Sequence, residues 1–299
     1  MKIDAFAHTL PVGLLKAIQA EVPDIIEKNA FLQIPALTDL KIRRENYPAG
    51  VKQIISNVNL NPEDYFFGDK AADLCELGND ELLKLVQDNA DIFEAAVAMV
   101  PMNNLSKAIE IIDQQVVKNF VGVQLFTRAL GKSIADKAFE PVFAETSKLD
   151  LPIFLHPVFD ERKPDNNITF SWEYELTQAM YQIVKAGYFE KYPNLKIIVH
   201  HAGAVVPFFA GRIKYTMSAQ EASDFQKFYV DTAILGNPKA LELAVDYFGP
   251  SHVLFGTDAP FAVMPSGATN EVIQAIDDMQ VAPDIKEDIY SNNILKLMR

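Results

Sequence analysis

Short runs rich in Val, Ile and Phe recur along the chain, and most are followed by a stretch whose apolar residues fall three or four positions apart. The runs are Lys2–His8, Val51–Val58, Phe93–Val100, Val121–Phe126, Pro152–His156, Lys196–His201, Phe228–Ala233 and His252–Asp258. Mostly bounded by Gly, Pro or Asn, they predict short buried β-strands. Between them, Asp69–Asn89 places Leu74, Leu77, Leu82, Leu85 and Val86 at near-helical spacing. Leu105–Val117, Lys137–Leu149, Glu175–Ala186, Ala204–Met217, Pro238–Phe248 and Glu271–Met279 follow the same pattern, and Asp284–Met298 predicts a closing helix.

Strands that alternate with helices imply a parallel sheet, because parallel neighbours need a crossover. Eight such units in 299 residues predict a (β/α)8 barrel, one domain over residues 1–299. A doubly wound open sheet is the rival, but it would carry a Gly-rich turn after the first strand, where this chain reads Ala7-His8-Thr9-Leu10-Pro11. Asp24–Gly50 fits neither period and is expected to be an excursion over the barrel mouth. Arg162–Asn167, polar and Pro-containing, reads as a loop after the fifth strand.

Composition narrows the class without changing this picture. With 49% hydrophobic and 22% charged residues the chain has the material for a full core. A net charge of −13 opposes nucleic-acid binding, which needs a basic face. The apolar runs are far too short for a membrane span. The start, Met1-Lys2-Ile3-Asp4, predicts no signal peptide. The single cysteine, Cys75, excludes an internal disulfide framework and suits a reducing cytoplasm.

Four of the five histidines fall at the carboxyl ends of predicted strands: His8, His156, His200 and His201. Asp258 ends the last one. In a barrel these ends meet at one mouth, where active sites form. Imidazoles and a carboxylate converging there suit zinc, manganese or iron. Any one of them alone is more often a hydrogen-bonded strand-end residue; it is the set that points to chemistry. Period-two alternation puts His200 and His201 on opposite faces, and His201, next to Ala202-Gly203-Ala204, is expected to be the inward one. By the same alternation residues 4, 6 and 8 share a face. His252, at the opposite strand end, reads as structural.

These residues, with others in order, resemble the amidohydrolase-related family of the aminocarboxymuconate-semialdehyde decarboxylase type. The likeness runs through Met1-Lys2-Ile3-Asp4, His8, Leu10-Pro11, Gly78-Asn79-Asp80-Glu81-Leu82 and Phe120-Val121-Gly122-Val123-Gln124. It continues through Leu151-Pro152-Ile153-Phe154-Leu155-His156-Pro157, Phe189–Lys196, His201-Ala202-Gly203-Ala204, Gly211-Arg212-Ile213, Phe255–Phe261 and Asn293. The resemblance implies a distorted (β/α)8 barrel, metal-dependent, with one divalent ion, zinc first and manganese as the alternative. It implies His8, His156 and Asp258 as ligands and His201 with Asp258 in proton transfer. It also implies Arg44 and Arg212 as substrate-carboxylate binders, Arg212 reaching a neighbouring subunit's site in a homodimer. The family's first strand ends His-x-His or Glu-x-His; here Phe6-Ala7-His8 puts phenylalanine where a ligand is usual. Trp172 is expected either to stack on substrate or to pack the loop against the barrel. The bland reading of the arginines is surface ion pairing.

The activity expected from the resemblance is decarboxylation of a small unsaturated or aromatic carboxylic acid. Hydrolysis of an ester, lactone or amide needs the same constellation and is the alternative. A catalytically silent barrel is the third reading, kept open by Phe6.

Overall fold

The computed structural model describes residues 1–118, 120–158 and 165–298; Arg162–Pro164 of the expected loop therefore lie outside the described residues. Among the described residues, seven parallel strands form most of the wall: β1 (Lys2–Thr9), β2 (Val51–Asn57), β3 (Phe93–Ala96), β4 (Val123–Phe126), β5 (Ile153–His156), β6 (Ile197–Val199) and β7 (Tyr229–Val230). They fall into two sheets, β1-β2-β3 and β4-β5-β6-β7. Single bridges join the sheets at both seams: Ala98 to Val123 on one side, and Val230 to Val253 and Ala7 to Ala259 on the other. The eighth run is not a regular strand. Residues 253–259 still serve as the eighth stave, with Leu254 N donating to Val230 O, Ala5 N to Phe255 O and Asp258 N to Phe6 O. The architecture is thus the (β/α)8 barrel that the alternation predicts, with the distortion that the resemblance implies.

Alternation along each strand sorts side chains to two cores. Ile3, Ala5, Phe6, Ile54, Ala95, Val97, Phe154, Ile198 and Leu254 fill the barrel interior. Ile55, Phe93, Val123, Leu125, Ile153, Leu155, Ile197 and Val199 pack outward against the helices. Each fully buried Ile, Leu or Phe contributes roughly 1.5–3 kcal/mol, so two-sided burial of such short strands is what keeps them in the sheet. Gly122, at the entry to β4, is required by close approach: a Cβ there would stand 2.6 Å from Pro152 O and 2.5 Å from the Phe154 ring.

One face assignment on β1 is corrected. The β1–β2 register slips between Asp4 and Ala7, a β-bulge that puts an extra residue on one strand. Ile3 and Ala5 consequently share the interior with Phe6. The Asp4 carboxylate instead accepts hydrogen bonds from Tyr47 Oη at 2.7 Å and from Thr257 Oγ1 at 2.6 Å. The bulge brings Phe6 and His8 to the mouth.

Helices follow the strands close to their predicted bounds, Pro238–Phe248 among them. The predicted Ala204–Met217 helix is a 3-10 turn at Pro207–Phe209 followed by a short helix, Ala210–Thr216, because Ala204 has a positive φ. The expected closing helix is broken by a π-turn over Asp288–Asn292. Residues 24–50 hold several short helical turns. Phe31 meets Phe261 near the mouth, while helix Leu40–Asn46 lies outside the wall and its Arg43 bonds to Gln53 of β2.

Candidate metal centre

The carboxyl ends of four staves bring His8, His156, His200 and Asp258 together, with one ligand-capable atom of each lying within 4.8 Å of the others. All four are buried. Each imidazole uses Nδ1 away from the common point. His8 Nδ1 contacts Ser56 Oγ at 3.0 Å, His156 Nδ1 contacts Pro157 O at 2.7 Å, and His200 Nδ1 contacts the Asp231 carboxylate. Outer partners of this kind fix the ring tautomer and leave Nε2 facing inward. Asp258 Oδ1 is 3.1 Å from His8 Nε2 and 3.4 Å from His200 Nε2, yet none of these three atoms makes an aligned hydrogen bond. Buried polar atoms that converge without bonding one another carry a desolvation cost. A divalent cation at their common point would offset it, and three imidazoles with one carboxylate are a donor set suited to such an ion.

The electrostatics agree with that chemistry. Burial holds His8 and, more strongly, His156 below the ordinary imidazole pKa, so both are neutral near pH 7. Burial also works against charge on His200, but the Asp231 and Asp258 carboxylates outweigh it and raise its pKa to about 10. Burial alone would raise Asp258; His200 and His8 instead hold it well below the usual carboxylate range. A cation held by these Nε2 atoms would compete with protons for them, so its affinity would rise with pH.

The expectation that His200 and His201 take opposite faces, with only His201 inward, is corrected: both stand at the site. The backbone turns immediately after β6, with φ of −65° at His200 and +58° at His201. Alternation therefore ends at His200, which takes the place in the cluster, while His201 stands beside it with ring centroids 4.2 Å apart. His201 Nδ1 is 2.7 Å from Glu173 Oε1. Trp172 lies 5.8 Å from His156 and 6.0 Å from His201 between ring centroids. Trp172, Glu173, His201 and Asp258, with Ile168, Leu235, Leu243 and Phe261, line a largely apolar cavity of about 560 Å³, a size that accepts a small organic ligand. Phe6 lies under the cluster, stacked on His200 at 4.0 Å and 19°.

The arginines do not gather at this mouth. Arg44 is an exposed side chain that pairs with Asp91 at 2.8 Å and with Asn89, just before the amino end of β3 and so at the opposite end of the barrel; this is the ion pair of the bland reading. Arg212 is exposed on helix Ala210–Thr216, in a stretch with exposed Phe208, Phe209 and Tyr215. Arg43 is fully buried and donates to Ala36 O at 2.7 Å, Gln53 Oε1 at 2.8 Å and His8 O. His252 sits at the far end, its Nδ1 on Phe248 O. Two residues of the site went unread in the sequence. Asp231 had a signal, an acid inside the seventh apolar run; Glu173 had none, since only the fold brings its helix against His201.

The sequence model of the family described as Amidohydrolase matches residues 34–299, and the chain belongs to that family. β1 and His8 precede the matched region. The chain is 25% identical, over an alignment of 335 positions, to the 2-amino-3-carboxymuconate-6-semialdehyde decarboxylase of Dictyostelium discoideum, covering all of this chain and 91% of the relative. Its fold is that of the 5-carboxyvanillate decarboxylase of Sphingomonas paucimobilis, with a TM-score of 0.86 at 19% identity over 100% of this chain and 98% of that one. It also matches the dihydroxybenzoic acid decarboxylase of Polaromonas sp. JS666, solved with manganese and 2-nitroresorcinol, with a TM-score of 0.82 at 20% identity over 99% and 96% of the two chains.

Proposed function

We propose that this chain is a metal-dependent, non-oxidative decarboxylase of a small aromatic or unsaturated carboxylic acid. His8, His156, His200 and Asp258 hold one divalent ion, and His201 with Asp258 handles the proton. The observation that carries the reading is the junction of a buried four-donor cluster with an apolar cavity large enough for one ring. The relatives named as decarboxylases support it. Zinc suits the imidazole-rich set, and the manganese in one structural neighbour makes that ion the alternative.

A divalent ion bound there supplies a Lewis acid that holds the acid group and steadies developing negative charge. The remaining steps belong to the protein. Trp172, Leu235 and Phe261 enclose the organic body and exclude water. His201, oriented by Glu173, delivers a proton to the carbon that bears the carboxylate. The C–C bond then breaks, its electron pair returns to the substrate carbon framework, and CO2 departs. Asp258, at the boundary of cluster and cavity, is placed to pass a proton between them.

Arg212 and the exposed aromatics near it support a homodimer in which Arg212 enters the neighbouring site. The described helices include none long and apolar enough to cross a membrane, and a free buried Cys75 suits the cytoplasm. The test is a panel of hydroxybenzoic and unsaturated acids offered to zinc- and manganese-loaded protein, with CO2 release measured. CO2 with an equimolar decarboxylated product is expected. Inertness toward every acid, with release of a new carboxylate from an ester or lactone, would replace this reading with hydrolysis.

A further inference from the structure

β1 presents two side chains to the cluster, Phe6 and His8, and only one of them carries a donor atom. The opposite stave compensates. His200 projects from the end of β6 with its Nδ1 on Asp231 and its ring flat against Phe6. We propose that His200 completes the cation site in place of a second donor on β1, that Asp231 is its positioning residue, and that Phe6 is the wall that holds its ring. The proposal rests on the reading of this cluster as a cation site and adds what fixes its β6 ligand and what stands in the place of a second donor on β1.

Three observations support it. Asp231 is itself held in place: it is fully buried, and its other oxygen accepts from Ala233 N at 2.9 Å and Ala202 N at 3.5 Å. A carboxylate held on both sides is a rigid acceptor, so the His200 ring can rotate neither about χ1 nor between tautomers without breaking that contact. Phe6 touches more than His200, with centroids 5.7 Å from His8 and 6.0 Å from His156; it is an apolar floor common to all three imidazoles. Finally, the Phe6 and His200 rings fill adjoining space at 4.0 Å. An imidazole at position 6 would enter a site whose fourth place is already taken.

The experiment compares wild type, His200→Ala, Asp231→Asn and Phe6→His for Zn²⁺ affinity, by competition with a chromophoric chelator. Visible absorption of the Co²⁺-loaded forms gives a second readout of coordination, and thermal unfolding tracks the fold. His200→Ala is expected to lose at least about 100-fold in Zn²⁺ affinity and to change the Co²⁺ spectrum. Asp231→Asn, which keeps the volume, is expected to lose about 10- to 100-fold, the range found for outer partners of metal-bound histidines. Phe6→His is expected to gain less than about threefold. Should His200→Ala fail to fold, Asp231→Asn and Phe6→His still decide. A His200→Ala or Asp231→Asn protein that binds Zn²⁺ like wild type, or a tenfold gain in Phe6→His, overturns the assignment while leaving the cation site standing. Wild type that binds neither ion removes the site itself, a distinguishable failure.

Discussion

His200 and His201 are neighbours in sequence with different surroundings, because the chain leaves the extended conformation between them. One imidazole faces the donor cluster and the other faces the cavity. Replacing His201 by Asn should therefore lower turnover by about 10²–10⁴-fold, the usual worth of a positioned proton donor. Zinc content, measured on the same preparation, should stay that of wild type. A second buried group makes a prediction about stability. Burial pushes the Glu63 carboxyl from 4.5 to about 8, although it accepts a hydrogen bond from Met102 N. Between those two values the native state keeps a proton that the unfolded chain has lost. Stability from this group is therefore greatest at low pH and falls as pH rises through about 4.5 to 8, by up to ~1.4 kcal/mol per pH unit. Glu63→Gln retains the acceptor and removes the titration. Urea unfolding from pH 5 to 9 should show a flatter profile for the variant, with the variant gaining on wild type as pH rises.

At the scale of elements, the short helix Leu40–Asn46 is tied to the wall by one side chain. Arg43 gives its donors to Ala36 O, Gln53 Oε1 and His8 O, linking the helix to β1 and β2 directly behind a cluster residue. Arg43→Met leaves those buried oxygens without their donor, at roughly 1–3 kcal/mol each. A loss of on the order of 3 kcal/mol is expected in urea unfolding, with a lowered Tm. Where β4 enters the sheet the constraint is steric. Gly122→Ala drives a methyl into Pro152 O and Phe154, and backbone cannot move aside as a side-chain tip can. A destabilisation of roughly 1–3 kcal/mol is expected, read from the same unfolding curves; the β1 bulge has no comparable side-chain signal, since it comes from pairing with β2 and with residues 255–259.

For the whole molecule, exposed Phe208, Phe209 and Tyr215 form an apolar stretch near the cavity rim, with Phe208 itself in the cavity lining. If this face joins two copies, sedimentation velocity gives a dimer for wild type, and Phe208→Glu with Tyr215→Glu shifts it to monomer while the unfolding midpoint of each chain changes little. The alternation of apolar runs with helical stretches was enough to determine the barrel, because burial on both faces of a parallel strand writes itself into local composition. It also determined that His8, His156 and Asp258 would end their staves at one mouth. Three things were decided only by the tertiary structure. The roles of His200 and His201 hang on the positive-φ turn that begins at His201, and the face of Asp4 on a bulge. The pairings of His200 with Asp231 and of His201 with Glu173 join residues some thirty positions apart. Sequence periodicity carries information about which side of its own element a residue takes. It carries none about which side chain from another element will stand opposite, and the identity of the fourth donor is a question of that second kind.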